Sequence, residues 1–423
     1  MTGGFLAFWT AGYNSYGFSA LFKPMASEIG LNRAAASVAA SMGRLEGGFE
    51  APVAGWLTDK FGPKWIVLSG VLLFGISLIL MNFVNSAWSF YLVWGFLLGM
   101  GANIAGQLPM NVAISNWFVR KRGLALGIKW GISGLGLAVM LPFVVTKLII
   151  TQGWRISCVV GGLVMLVVGL PSIWFSVKTH RAEYYGLLPD GAIMKEETTA
   201  VDQTIDQGVK YAAEFEEVEF SFRQILRTPA YWLLLVIQAV RSLATPAINI
   251  HGIPFLTDIG IDPLVAAGML STMIAASIPI RFVGGFLIDR VKKDHLRFLV
   301  GGAYLLQAIG FFAIMINQTT LMIYIWLVVY GIGLGAILML DSILRARYFG
   351  RKAFGSNSGL STMLTMPAAI VAPVYLGWVY DTTGSYLSAF KWVTGLLAFS
   401  AVLMFLIRPP KPPAQVTDVH NFF

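Results

Sequence analysis

Arg44, Glu46 and Glu50, in Gly43-Arg44-Leu45-Glu46-Gly47-Gly48-Phe49-Glu50, and Arg281, in Ile278-Pro279-Ile280-Arg281-Phe282-Val283, are ionisable side chains among almost wholly apolar neighbours. A planar guanidinium fork matches a carboxylate in two-toothed geometry. Arg281 therefore has the chemistry to bind an organic anion or, failing that, to pair with a protein acid or backbone carbonyls. Glu46 and Glu50, four residues apart, share a helical face. A carboxyl removed from water can hold a proton, so the pair reads either as a proton carrier or, with Arg44, as an ionic lock between helices. Tyr330 and Asn111 are candidate donors to a substrate carboxylate or hydroxyl. His251 and Asp258 suit a proton step or an ordinary surface loop.

Helices inside a membrane have to position these groups. Of 423 residues, 57% are hydrophobic and 12% charged, with mean hydropathy +0.71, too apolar for a soluble core. A span needs roughly 20 apolar residues. Twelve such segments occur: about 5–22, 34–57, 65–83, 88–114, 124–150 and 156–177, then 231–250, 264–288, 298–316, 321–340, 358–380 and 387–407. The first begins almost at Met1, is too long for a signal peptide, and reads as the first span. The expected divisions are an N-terminal six-helix bundle, 1–178; a linker, 179–228; a C-terminal six-helix bundle, 229–408; and a tail, 409–423. Residues 196–219 are acid-rich and read as solvated linker, 220–227 as a short interfacial helix, and the Pro-rich tail as disordered.

The net charge of +9 does not indicate nucleic acid, because the basic residues lie in short loops rather than on a soluble face. Loops after even-numbered spans, the linker and the tail hold 21 of 30 Lys and Arg; the opposite loops hold 5, and Arg44, Lys129, Arg241 and Arg281 fall inside spans. The positive-inside rule then makes both termini cytoplasmic in a multi-pass plasma-membrane protein. The lone Cys158 excludes an internal disulfide.

The halves repeat. Gly55-Trp-Leu-Thr-Asp59-Lys60-Phe-Gly62-Pro-Lys64 recurs as Gly285-Phe-Leu-Ile-Asp289-Arg290-Val-Lys292-Lys293, and Trp117-Phe118-Val-Arg120-Lys121 as Tyr348-Phe349-Gly-Arg351-Lys352, at offsets of 230 and 231. Such duplication is the usual construction of carriers with a central site. In the motif, Gly lets helix ends approach, while Asp either caps a helix N-terminus or pairs with a basic neighbour.

The Gly55–Lys64 string resembles the loop 2–3 signature of the major facilitator superfamily. Tyr184-Tyr185-Gly186-Leu187-Leu188-Pro189-Asp190-Gly191, Leu226-Arg227-Thr228-Pro229-Ala230-Tyr231-Trp232, and the spacing of Arg281 eight residues before Asp289 resemble, more narrowly, the monocarboxylate transporters and oxalate/formate exchangers. The resemblance implies an all-α integral membrane protein, with 12 helices in two pseudo-symmetric bundles, and a carboxylate on Arg281. Eight helical residues rise about 12 Å, well inside a hydrocarbon core of roughly 30 Å. An unpaired guanidinium there costs about 2.5–3.5 kcal/mol.

Two departures sharpen this. Ser361 stands where the exchangers carry a second cation, so that with Arg281 as the one central cation charge balance favours a monoanion. Ser277 stands where animal monocarboxylate transporters carry a proton-coupling aspartate, which leaves Glu46 and Glu50 as substitutes. Lys23 resembles the basic residue near the outer end of span 1 that attracts anions, though a lysine there can equally snorkel to headgroups.

Gly123, Gly127 and Gly131 read as a helix-packing seam. No GxxxxGK[ST] or HExxH string occurs, and neither glycine run at 131–136 or 331–335 follows a strand, which removes built-in ATP hydrolysis and the commonest zinc-protease chemistry. The expectation is a monomeric, cofactor-free and metal-free secondary carrier of a small monocarboxylate, such as lactate, pyruvate or formate, coupled to a proton or a counter-anion. A dicarboxylate or drug carrier, and a non-transporting receptor, are the rivals.

Overall fold

Apolar runs punctuated by glycine, proline and charge become helices, and no strand occurs among the described residues. The computed structural model describes residues 2–11, 13, 21, 25, 28–30, 33–140, 147–192, 201–214 and 218–411. The membrane helices are α1 (Thr2–Ala11), α2 (Arg33–Phe61), α3 (Pro63–Leu80), α4 (Ala87–Trp117), α5 (Arg122–Met140) and α6 (Thr151–Ser176). After the linker come α7 (Pro229–Asn249), α8 (Pro263–Ile288), α9 (Leu296–Ile316), α10 (Thr320–Phe349), α11 (Phe354–Thr383) and α12 (Leu387–Leu406).

Nine helices among the described residues are long and apolar enough to cross a membrane. The other three have evident reasons: α1 and α5 adjoin residues outside the described set, and α2 carries Arg44, Glu46, Glu50, Asp59 and Lys60. Exposure is inverted relative to a soluble protein. Trp88 (82% exposed) and Phe175 (77%) face outward, whereas Ser277, Asn357 and Ser361 are fully buried. Lipid outside and polar groups inside is the only solvent arrangement that suits both sets.

One apolar core joins α9, α10 and α12 through Phe311, Trp326 and Phe390, with Phe255 of the short helix Gly252–Asp258, at ring separations of 5.1–5.9 Å. A second is built on Val71, Phe74, Trp94 and Leu98 from α3 and α4. Here α1 is fastened to α6: the Trp9 indole donates to the Gly161 carbonyl (2.9 Å) and the Tyr13 hydroxyl to that of Ser157 (2.8 Å).

Two seams join the halves, α2 on α11 and α5 on α8, and both are glycine-lined. Gly55 faces the Gly355 backbone, and Gly127 faces Gly285. The repeated aspartates close these seams. Asp59 accepts the Gly355 and Ser356 amides (3.0 and 2.7 Å) and the Ser356 hydroxyl (2.6 Å), while Asp289 accepts those of Gly123 and Leu124 (2.6 and 2.9 Å). Of the two options for the motif aspartate, the helix N-terminus is realised, and each aspartate caps a helix of the opposite half. The remaining motif residues support the corner. Lys60 lies over Trp56 (4.9 Å), Lys64 donates to the Trp174 carbonyl (2.9 Å), and Arg290 lies over Phe286 (4.6 Å). Gly62 has φ +83°, a value that a side chain would strain, and packs on the Thr179 carbonyl.

The linker departs from expectation. Within the stretch read as solvated, Val201–Glu214 is helical, because Thr204, Gly208 and Ala212, spaced by four, form a buried face against Glu183. The expected helix near 220–227 forms at Phe222–Leu226, closed by a Ser221/Gln224 capping box, with Ile225 fully buried. Asp190 accepts the amides of Val119, Arg120 and Lys121 (2.8–3.1 Å), and Arg351 pairs with Glu183 (3.1 Å), both nearly inaccessible. Burial opposes the Glu219 carboxylate, but the Arg181 and Arg351 guanidiniums outweigh it and hold its pKa below the usual range. The linker thus fastens the α4–α5 and α10–α11 corners on one face, hereafter the linker face.

Candidate functional site

Between the halves, on the linker side of centre, lies a cavity of about 180 Å³ walled by α4, α5, α7, α10 and α11. This is below the roughly 300–1,000 Å³ of drug-sized sites and suits a guest of few atoms. Its polar wall carries Asn111, Gln238, Arg241, Asp341, Ser342 and Arg345, and Trp130, Leu108 and Leu338 supply apolar surface.

The network is ordered. The Lys129 ammonium donates to the Asn111 amide oxygen (2.6 Å) and lies 4.5 Å over the Trp130 ring. The Asn111 amide nitrogen donates across the interface to the Ser342 hydroxyl (3.2 Å). The Arg345 guanidinium is held on three sides: Nε by Asp341 (3.3 Å), Nη1 by the Ser361 hydroxyl (2.9 Å), and Nη2 by the Gln238 carbonyl. Arg241 projects from mid-helix α7, and no described residue takes a hydrogen bond or ion pair from its guanidinium.

Of the residues singled out in the sequence, Asn111 lies on the cavity wall and Ser361 one layer behind it, as the support of Arg345. Arg281 is buried in the α5–α8 seam, where Nη1 donates to the Trp130 carbonyl (3.3 Å); it contacts the wall from behind rather than lining it. Tyr330 packs edge-on to Phe311 (5.5 Å), and Ser277 returns its hydroxyl to the Ile274 carbonyl (2.6 Å); neither reaches the cavity. Glu46 and Glu50 lie on α2 with carboxylate oxygens that are buried and accept no hydrogen bond within 3.5 Å.

His251 and Asp258 meet through two tyrosines. The His251 Nε2 faces the Pro373 carbonyl (3.1 Å) and so carries the proton, Nδ1 accepts from the Tyr386 hydroxyl (3.2 Å), Tyr386 stacks on Tyr380 (4.5 Å), and Tyr380 donates to Asp258. Burial holds the His251 pKa below its usual value, against the Pro373 carbonyl, which favours the protonated ring. Lys23 and the Arg44 side chain lie outside the described residues.

One sequence premise is corrected. Arg281 is not the one central cation: Arg241 and Arg345 line the cavity, Lys129 stands behind it, and Asp341 offsets part of their charge. The apolar segment ending at Leu340 hid Asp341 and Arg345, because α10 continues to Phe349.

A helical membrane scaffold of two repeated halves, closed by mutual aspartate caps around a small polar cavity, defines a transport protein. The chain belongs to the Major Facilitator Superfamily, whose sequence profile it matches over residues 4–373. It is 24% identical over 377 residues to Monocarboxylate transporter 12 of Mus musculus, covering 85% of this chain and 74% of that protein. It is 26% identical over 395 residues to Monocarboxylate transporter 13 of Rattus norvegicus, covering 92% and 82%. Among solved structures, the proton:xylose symporter XylE bound to 6-bromo-6-deoxy-D-glucose superposes with TM-score 0.74 at 11% identity, covering 96% of this chain and 94% of that one. The E. coli fucose:proton symporter FucP superposes with TM-score 0.68 at 14% identity, covering 96% of both. At these identities the structures bear on the fold alone.

Proposed function

We propose that this protein carries small monocarboxylates across the cell membrane as a monomer, with the linker face cytoplasmic and the two halves rocking around the cavity. The observation that carries this reading is the guanidinium of Arg241 on the wall of a cavity large enough only for a small guest. The relatives named monocarboxylate transporters support the same substrate class. Arg281, behind Trp130, shapes the wall in this conformation and becomes available to the guest when the α5–α8 seam parts.

A monoanion entering alone works against an inside-negative potential at about 2.3 kcal/mol per 100 mV, so a proton or a counter-anion accompanies it. Glu46 and Glu50 are the groups proposed to take the proton, since a buried carboxylate without donors is costly as an anion. Full-length protein in liposomes should accumulate labelled lactate when the outside is acidified. Glu50→Gln should lose at least about 10-fold of that pH-driven rate, the usual lower scale of a positioned proton-transfer group being 10²-fold. Exchange of internal for external lactate at equal pH should survive. If Glu50→Gln and Glu46→Gln both leave pH-driven uptake intact, the α2 proton route is wrong.

Two cavity arginines also raise the dicarboxylate reading. Asp341 on the same wall weighs against it by placing a negative charge where a second carboxylate would lie.

A further inference from the structure

The cations around the cavity are not equivalent. Each nitrogen of Arg345 already donates to the protein, and Lys129 is buried behind the wall with its ammonium on Asn111. Arg241 lines the same space with no hydrogen bond or ion pair to any described residue. Asp341 is complementary: Oδ2 accepts from Arg345 Nε, the side chain is 31% exposed, and no described residue occupies Oδ1. The wall therefore offers one uncommitted planar donor and one uncommitted acceptor that, when ionised, accepts only.

We propose that Arg241 takes the carboxylate of the carried anion and that Asp341 accepts a hydrogen bond from a hydroxyl beside it, making the site selective for 2-hydroxymonocarboxylates. This rests on the carrier reading above and assigns the guest two contacts that the sequence motifs did not. Charge decides among neighbouring classes. On the wall itself Arg241, Arg345 and Asp341 sum to one positive charge, and Lys129 adds a second behind Asn111; a monoanion with a neutral donor reduces this excess. A zwitterion leaves that charge uncompensated, and a dianion sets its second carboxylate against Asp341. A short carboxylate without the hydroxyl leaves the Asp341 oxygen without its donor, and sites built around a substrate hydroxyl reject analogues that lack it.

The test uses the full chain in liposomes, with labelled 2-hydroxypropanoate, propanoate and malonate at pH 7. Wild type should take up 2-hydroxypropanoate with a KM about 10-fold below that for propanoate, a factor corresponding to about 1.4 kcal/mol, and should not be competed by malonate. Arg241→Gln should raise both KM values at least about 10-fold, since one charge-assisted contact to the guest is lost. Arg241→Lys, which keeps the charge and loses the fork, should fall between. Asp341→Leu, which removes the acceptor, should erase the preference for the hydroxyl, whereas Asp341→Asn, which keeps an acceptor oxygen but loses the charge, should retain part of the preference and admit competition by malonate.

Detergent-extracted variants are checked for monodispersity, and if Arg241→Gln fails to fold, the wild-type competition series and Arg241→Lys decide. Wild-type uptake without preference for the hydroxyl, a full preference retained in Asp341→Leu, or a wild-type KM in an arginine variant overturns this assignment alone. Absence of any carboxylate uptake by the wild type overturns the carrier reading and this assignment together.

Discussion

Gly127→Leu should reduce uptake by the reconstituted protein at least about fivefold. A Cβ at this position would stand 2.5 Å from the Arg281 carbonyl oxygen and 2.9 Å from the Gly285 Cα, both backbone atoms that cannot swing aside. Overpacking costs about 1–3 kcal/mol, and a penalty of that size borne by one of two states shifts their populations about 5–150-fold. The state penalised is the one with the α5–α8 seam shut, so alternation stalls with the linker face open. A cysteine introduced at Ser358 on the cavity wall should then react faster with a reagent applied from the linker side. A leucine at Gly302, where no atom lies within 4 Å, is the matched control and should transport normally. Equal uptake by Gly127→Leu and the control would show that closure of this seam is not needed.

Glu183→Ala should lower stability by about 3–5 kcal/mol, the usual penalty for stripping the partner from a buried ion pair. Arg351 is buried and pairs with Glu183, keeping the Asn116 carbonyl (3.2 Å) as a further acceptor. The loss should appear as a fall of several degrees in the melting midpoint of the detergent-purified protein. Glu183→Ala with Arg351→Met should recover part of it, because neither member of the pair is then left without its partner and Arg181 still pairs with Glu219. A midpoint within about 1 °C of wild type in the single variant would mean that the pair does not hold the linker to the α10–α11 corner.

The fold was legible because its signals are local. Apolar runs, the Asp59 and Asp289 repeats and the loop charges need no knowledge of distant contacts. Which option the motif aspartate would take was not legible, since Asp59 caps a helix almost 300 residues away in sequence. Thr204, Gly208 and Ala212 already carried the helical period of the linker, but the acidic composition around them masked it.

In the site, depth was readable and direction was not. Arg281 lies where helical rise puts it, yet a rise along the axis does not say whether a side chain enters a cavity or a seam. Arg241 stood in plain view within an apolar segment but belonged to no motif. Asp341 and Arg345 were lost because hydropathy ends a segment at the first charges, whereas a helix shielded by protein continues past them for two more turns.

Counterflow separates a carrier from a receptor or a leak, because only a site that faces the two sides in turn couples opposite fluxes. Liposomes holding the full-length protein and unlabelled lactate, diluted into labelled lactate at equal pH and no membrane potential, should accumulate label transiently above its equilibrium level and then release it. Label that rises monotonically, at the rate seen in protein-free liposomes, would contradict transport of a small monocarboxylate through the cavity between the halves.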